Sequence, residues 1–187
     1  MKKIATYVVL ALVSLLTLAP VIWTVLSSMR PPSESLSTDG SLIPSSLDFS
    51  SYPAVFEKVD MWLLILNSVL VTGIIAVGQM LSSAMAGYVF ARFEFRSKNL
   101  LFALILATMM VPMQVTIVPV FMLIRGMNLA DTLLALILPA IPTAFGTFLM
   151  RQYFMGLPAE LGEASEIDGA TPWRTFASIY APLATPG

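Results

Sequence analysis

The chain has 187 residues, 57% of them hydrophobic and only 11% charged, with a mean hydropathy of +0.85. Soluble domains carry about 25% charged residues, so much of this chain is expected in a bilayer, and a net charge of −1 selects neither nucleic acid nor an acidic substrate. With no cysteine and no histidine, disulfides, thiolate and imidazole catalysis and His/Cys metal sites are excluded, and no catalytic residue, metal site or cofactor is expected in this chain.

Charge-free runs cover residues 4–29 (26 residues), 61–91 (31), 99–124 (26) and 132–150 (19). A bilayer core of about 30 Å needs about 20 helical residues, so four spans are expected, at about 4–27, 62–88, 99–124 and 132–150. The first run has the basic start and apolar centre of a signal peptide. It continues past Pro20 through Ile22, Trp23, Val25 and Leu26, beyond the roughly 7–15 residues of a signal core, and has no convincing small-x-small cleavage site. It reads as a retained span. A loop rich in Ser and Pro, 28–61, follows.

In the second run Gly78, Ser82 and Ala86 recur every fourth residue, with Ser83 and Gly87 beside them. That spacing lets helices approach closely, although small residues in membrane helices also recur by chance. At 1.5 Å per residue the run reaches roughly 46 Å, so tilt or an extension beyond the hydrocarbon is expected. The third run holds Pro112, Gln114 and Pro119 in "MMVPMQVTIVPVF". Proline in a span is tolerated where neighbours or water satisfy the freed carbonyl, as in a bent helix lining a pathway or in an ordinary kink. With Asn67, these residues are the candidates for a translocation path. "ILPAIPTAFGTF" in the fourth run reads the same way. No span carries Asp, Glu, Lys or Arg, which argues against a proton relay and leaves any driving energy to come from elsewhere.

With the amino terminus cytoplasmic, Lys2, Lys3, Arg92, Arg96, Lys98, Arg151 and Arg174 face inward and Arg30, Lys58 and Arg125 outward, in keeping with the positive-inside rule. Loop 28–61 is then external. The segment "ELGEASEIDGATPW" is cytoplasmic; its four acids, Glu160, Glu163, Glu166 and Asp168, would cost on the order of 10 kcal/mol at mid-bilayer.

This segment has helix punctuation. Pro158 suits a first helical position, and Glu160 and Glu163 lie where the macrodipole favours anions. Gly169 and Pro172 form a stop. A helix over about 158–169 puts Gly162, Ser165 and Gly169 in one narrow sector, Leu157, Leu161 and Ala164 on a second stripe, and Glu160, Glu163 and Ile167 on the flank. So short a helix needs a surface to pack on. By composition alone, a solvated loop with acids for solubility remains open.

"ELGEASEIDGATPWRTFASIYAPLATP" resembles the EAA motif of binding-protein-dependent ABC importer permeases: Glu163, Ala164 and Ser165, then Gly169, then Ile179, Ala181 and Pro182. Ser165 and Ala181 depart from the family's alanine and leucine. "NSVLVT", "AGYVFARFEFRSK", "MMVPMQVTIVPVF" and "AFGTFLMRQYFMGLPAEL" resemble the carbohydrate-uptake branch, of the MalG kind. The resemblance implies an all-α polytopic transmembrane bundle in a bacterial inner membrane, with a cytoplasmic coupling helix. Its implied coupling residues are Glu163, Ala164, Ser165, Asp168, Gly169, Ile179 and Pro182. Glu163 would contact an ATPase subunit, and Gly169 would allow the sharp exit.

The implied partners are two ATPase subunits, a second permease and an external solute-binding protein, and the implied solute is a sugar. The chain has no Gly-Lys dipeptide and so no P-loop; ATP hydrolysis is expected in a separate subunit. Family members usually have six spans. A fifth charge-free run starts at Thr175 and stops at Gly187, so a truncated chain is expected. A self-contained carrier or channel would need a polar site within the spans; a non-transporting fragment would tolerate Glu163→Lys without consequence.

Overall fold

The structure, a computed structural model, describes residues 2–31, 33–34 and 43–184. Every regular element among them is helical. The expected external loop falls partly outside the described residues, at 32 and 35–42, as does the end of the fifth run, at 185–187. The chain divides into two units, Met1–Ile65 and Leu66–Gly187.

In the first unit, α1 (Lys2–Ser28) keeps Pro20 inside it without breaking. Thr24 Oγ1 donates to the Pro20 carbonyl at 2.8 Å. α1 exposes its apolar side chains all round, as a helix solvated by lipid does. The Asp48 amide donates to the Met29 carbonyl at 2.9 Å, and Ser28 Oγ lies 2.7 Å from Tyr52 Oη. These bonds tie the end of α1 to a short helix, α2 (Ser51–Lys58). The sequence reading has only loop at α2. The Asp48 carboxylate accepts from the Ser50 amide at 2.8 Å, and that bond holds its pKa below the ordinary value.

α3 (Met61–Arg92) is a 32-residue helix. α1 from Lys3 and α3 are each long and apolar enough to cross a membrane.

The third run is not one helix. α4 (Lys98–Thr108) and α5 (Met113–Gly126) meet at 101°. Pro112 has no amide to continue the α4 ladder and biases Val111 away from helix. The amides of Met109, Met110 and Val111 turn back instead to Leu106, Ala107 and Thr108. Pro119, inside α5, leaves that helix continuous.

The fourth run is likewise two helices, α6 (Leu133–Ala140) and α7 (Ala144–Met155), bent by 41°. Pro142 lies in the break, and Thr143 restarts the helix by accepting the Gly146 amide at 3.3 Å. The expected spans at 99–124 and 132–150, whose prolines read as bends, are bent pairs in the structure, so that among the described residues two helices are long and apolar enough to cross a membrane, or up to four spans if each bent pair is one.

The small residues of α3 mark a packed seam. A Cβ on Gly78 would lie 2.8 Å from Ile141 Cγ1, one on Gly87 2.6 Å from Met150 Cβ, and one on Gly146 3.0 Å from Ser83 Cβ. These pairs keep a constant offset of 63 residues, so α3 and the α6–α7 pair run parallel. The chain leaving α3 at Arg92 must therefore return before α6 begins, and α4 and α5 make that return despite their bend. Ends left open at the α6–α7 break are satisfied from α3. Gln79 Nε2 donates to the Ala140 carbonyl at 2.7 Å, and Ser82 Oγ to that of Ile141 at 3.2 Å.

Candidate functional site at the acidic helix

α8 (Glu160–Ile167) carries the acidic segment. Pro158, expected at the first helical position, lies just before the N-cap residue Ala159. Glu160 and Glu163 occupy the first turn, where the positive end of the helix dipole favours them. The helix closes with Gly169 at φ +71°. The Ala170 amide bonds the Ser165 carbonyl at 2.9 Å and the Gly169 amide that of Glu166 at 3.0 Å. This paired closure needs a left-handed residue, which glycine supplies without a Cβ penalty.

One face of α8 is docked. A Cβ on Gly162 would lie 3.0 Å from Tyr180 Oη. Ser165 is buried, bonded to the Gly162 carbonyl at 2.8 Å and to Thr175 Oγ1 at 2.9 Å. After Gly169 the chain re-enters the bundle as α9 (Pro172–Thr175), a π-helical stretch (Phe176–Tyr180) and α10 (Ala181–Leu183). Behind α8 is a cluster of Tyr88, Phe154, Phe176 and Tyr180, with the Tyr88 ring 5.1–6.2 Å from the other three. Packing of this kind lets an eight-residue helix persist where it would not alone.

The opposite face is open. Glu160, Glu163, Ala164, Glu166 and Asp168 are exposed, and Ile167 is 87% exposed. Among the described residues none of the four carboxylates has a salt-bridge partner. A cleft of about 410 Å³ between α8 and the end of α3 is lined by Arg92, Glu94, Glu163, Glu166, Thr175 and Tyr180 among others. No cluster of Asp and Glu among the described residues could hold a metal ion.

The residues singled out in the motif thus divide. Glu163, Ala164 and Asp168 lie outward; Ser165 faces inward and fastens the helix. Gly169 makes the exit. Ile179, half-buried, and Pro182, exposed, sit on the helical run beyond and not on α8. The path candidates are scattered. Asn67 is half-buried on α3, while Pro112, Gln114 and Pro119 are exposed about the α4–α5 break.

Three residues of the site were not singled out from the sequence. Ile167 lies on the acidic flank by helical spacing, and its exposure makes it part of the open face. Tyr88 and Arg92 lie in "AGYVFARFEF", one helical turn apart, where the sequence marks Arg92 only as an inward charge. In the structure Arg92 Nη2 donates to the carbonyls of Phe154 and Leu157, both at 2.7 Å. Its guanidinium lies over the Tyr180 ring, 4.8 Å from the centroid. The Tyr88 hydroxyl donates to the Pro172 carbonyl at 3.4 Å. The sequence signal was the i, i+4 spacing of two side chains able to bond at a helix end.

A family profile described as binding-protein-dependent transport system inner membrane component matches residues 79–187. The chain is 35% identical over 179 residues to the arabinooligosaccharides transport system permease protein AraQ of Halalkalibacterium halodurans, covering 94% of this chain and 64% of that one. It is 34% identical over 184 residues to the diacetylchitobiose uptake system permease protein NgcG of Streptomyces coelicolor, covering 97% and 61%. It is 33% identical over 183 residues to the lactose transport system permease protein LacG of Rhizobium radiobacter, covering 98% and 66%. The chain thus spans just under two thirds of the length of these relatives. Its fold is similar to a chain in the crystal structure of a bacterial ABC transporter involved in the import of the acidic polysaccharide alginate. The TM-score is 0.82 at 25% identity, over 97% of this chain and 64% of that one.

Proposed function

The chain belongs to the binding-protein-dependent transport system inner membrane component family, and from that premise we propose that it is a permease subunit of an ATP-binding-cassette importer for a sugar or sugar-like solute. The solute class follows the relatives, whose names are those of arabinooligosaccharide, diacetylchitobiose and lactose systems. In this reading the chain sits in a bacterial inner membrane with its amino terminus cytoplasmic. α1, α3, the α4–α5 pair and the α6–α7 pair are four crossings, and a fifth starts near Thr175. Two ATPase subunits, a second permease and an external solute-binding protein complete the transporter. ATP is hydrolysed by the ATPase, and this chain converts ATPase closure into a switch of access across the membrane.

The observation that carries the reading is the division of α8 into a fastened face and an open one. Gly162 and Ser165 hold the helix to the bundle, while Glu163 and Ile167 stay available. A partner surface with basic and apolar groups would satisfy both. Glu163, Ala164 and Asp168 would meet the ATPase, and Ser165, Gly169, Ile179 and Pro182 would hold the helix and its exit in place. Asn67, Pro112, Gln114 and Pro119 would border the solute path.

Co-purification of the chain with candidate ATPases tests this. Glu163→Lys reverses the charge on the open face, and Gly169→Pro removes the left-handed exit. Each is expected to abolish co-purification. Full retention in both would overturn the reading.

A further inference from the structure

The Arg92–Tyr88 pair reaches both arms of the chain that carries α8. The upstream arm leaves α7 at Met155 and starts α8 at Glu160. Arg92 Nη2 bonds one carbonyl at each side of that turn, Phe154 and Leu157. The downstream arm begins at Pro172, whose carbonyl accepts from the Tyr88 hydroxyl. Farther along that arm, Phe176 and Tyr180 pack on the Tyr88 ring at 5.3 and 5.1 Å. One helical turn at the end of α3 thus holds both legs of a hairpin from which it is distant in sequence.

Resting on the coupling role proposed above, we propose that Arg92 is a positioning residue that makes α3 a direct output of α8. A push on α8 moves the Phe154–Leu157 turn. The carbonyls of that turn are bonded to a guanidinium that also lies on Tyr180, so the push is delivered to α3 as well as to α7 and α9, which are joined to α8 by the chain. α3 in turn contacts the α6–α7 break through Gln79 and Ser82, some three turns away. Displacement at the cytoplasmic helix thereby reaches the α6–α7 break along α3. The Arg92 Nε is buried without an acceptor, so the grip depends on Nη2 and the ring contact. Lysine can offer several donors from one point, but it has a shorter reach and no planar face to stack.

The chain has no cysteine, so a single introduced thiol reports cleanly. Trp62, 72% exposed at the far end of α3, is replaced in the variant Trp62→Cys. In the complete transporter, with cysteine-free partners, its rate of modification by a water-soluble maleimide is compared without nucleotide and with ATP and vanadate. A change of at least about fivefold is expected with Arg92, the lower end of ordinary allosteric coupling. It is expected to vanish in Arg92→Met and to be partly kept in Arg92→Lys, with ATPase co-purifying in all three. A full change in Arg92→Met overturns the proposal, and so does no change with Arg92 present while the ATPase co-purifies. Should Arg92→Met not assemble, Arg92→Lys decides: a reduced change supports the proposal and a full one overturns it. Absence of ATPase from the unsubstituted chain sinks the coupling reading itself, and this proposal with it.

Discussion

The α4–α5 and α6–α7 pairs are built from similar material and end differently. Both are apolar runs broken before a restart, one at Pro112 and one at Pro142. Yet the first bends by 101° and the second by 41°. The difference lies outside the runs. At the α6–α7 break the released carbonyls of Ala140 and Ile141 are bonded by Gln79 and Ser82 of α3. Just beyond it, Gly146 and Ser83 let the backbones close up. At the α4–α5 break, residues 107–115 are all exposed, Met110 by 85% and Met113 by 77%. α4 is held farther back, where Phe102 lies 5.4 Å from Phe90 and Arg151 covers its ring at 4.2 Å. Proline decides where a helix in such a run stops, and support from a neighbouring helix decides how far the chain then turns.

The largest effect is expected from breaking that support. Gly87→Ala places a Cβ 2.6 Å from Met150 Cβ and 2.8 Å from the Arg151 backbone nitrogen. α3 and α7 must separate, at a cost of about 1–3 kcal/mol, read as a lowered thermal midpoint in detergent. Gly73→Ala on the same helix, where nothing lies within 4 Å of the added Cβ, should leave the midpoint unchanged or raise it. Equal losses in both would mean that the seam is not what holds α7.

Next comes Gln79→Leu. It removes the donor to Ala140 while keeping an apolar side chain of similar size, and should cost about 1 kcal/mol, within the range of interhelical hydrogen bonds in membranes. A spin-label pair across α6 and α7, at Leu136 and Leu149, both exposed, should show a broader distance distribution. An unchanged distribution would separate the bend from the bond.

A smaller effect is expected from Pro112→Ala. The new amide can bond the Thr108 carbonyl and extend α4. Labels at Leu101 and Phe121, both exposed, should then move apart as the bend opens. Pro142→Ala should shift its own pair less, because α3 still holds the break. A larger shift at Pro142 than at Pro112 would reverse the comparison.

These features were unevenly legible. The lengths of α1 and α3 follow from charge-free runs, since only a long apolar helix can satisfy its backbone in lipid. The small-residue spacing of α3 was visible, but its partner helix was not, because the pairing is set 63 positions away. Pro112 and Pro142 marked bends within the runs, but neither the division into two helices nor the angle, for the reason just argued. α2 was hidden in a Ser- and Pro-rich loop, although Tyr52, Val55, Phe56 and Val59 form an apolar stripe at helical spacing. The acidic helix was readable from Glu160 to Gly169 because its stop signal is local. Arg92 was not, because a guanidinium that bonds two distant carbonyls looks, in sequence, like any positive charge at a helix end.

The smallest structural effect is expected from Gln114→Leu, which sharpens the comparison from the unsupported side. Gln114 is exposed in the first turn of α5, and its side chain bonds no other residue among those described. Removing it breaks no contact, so the thermal midpoint should stay within the equivalent of about 0.5 kcal/mol. Its environment is then read from function. A glutamine facing lipid would be relieved by leucine, raising the midpoint with uptake unchanged. A glutamine bordering a solute path would keep the midpoint and lose uptake, since a polar path has lost a donor and an acceptor. The second outcome is expected in the reconstituted transporter, because an open bend that nothing among the described residues supports is suited to moving as solute passes. A raised midpoint with full uptake would instead make the 101° turn a lipid-facing kink.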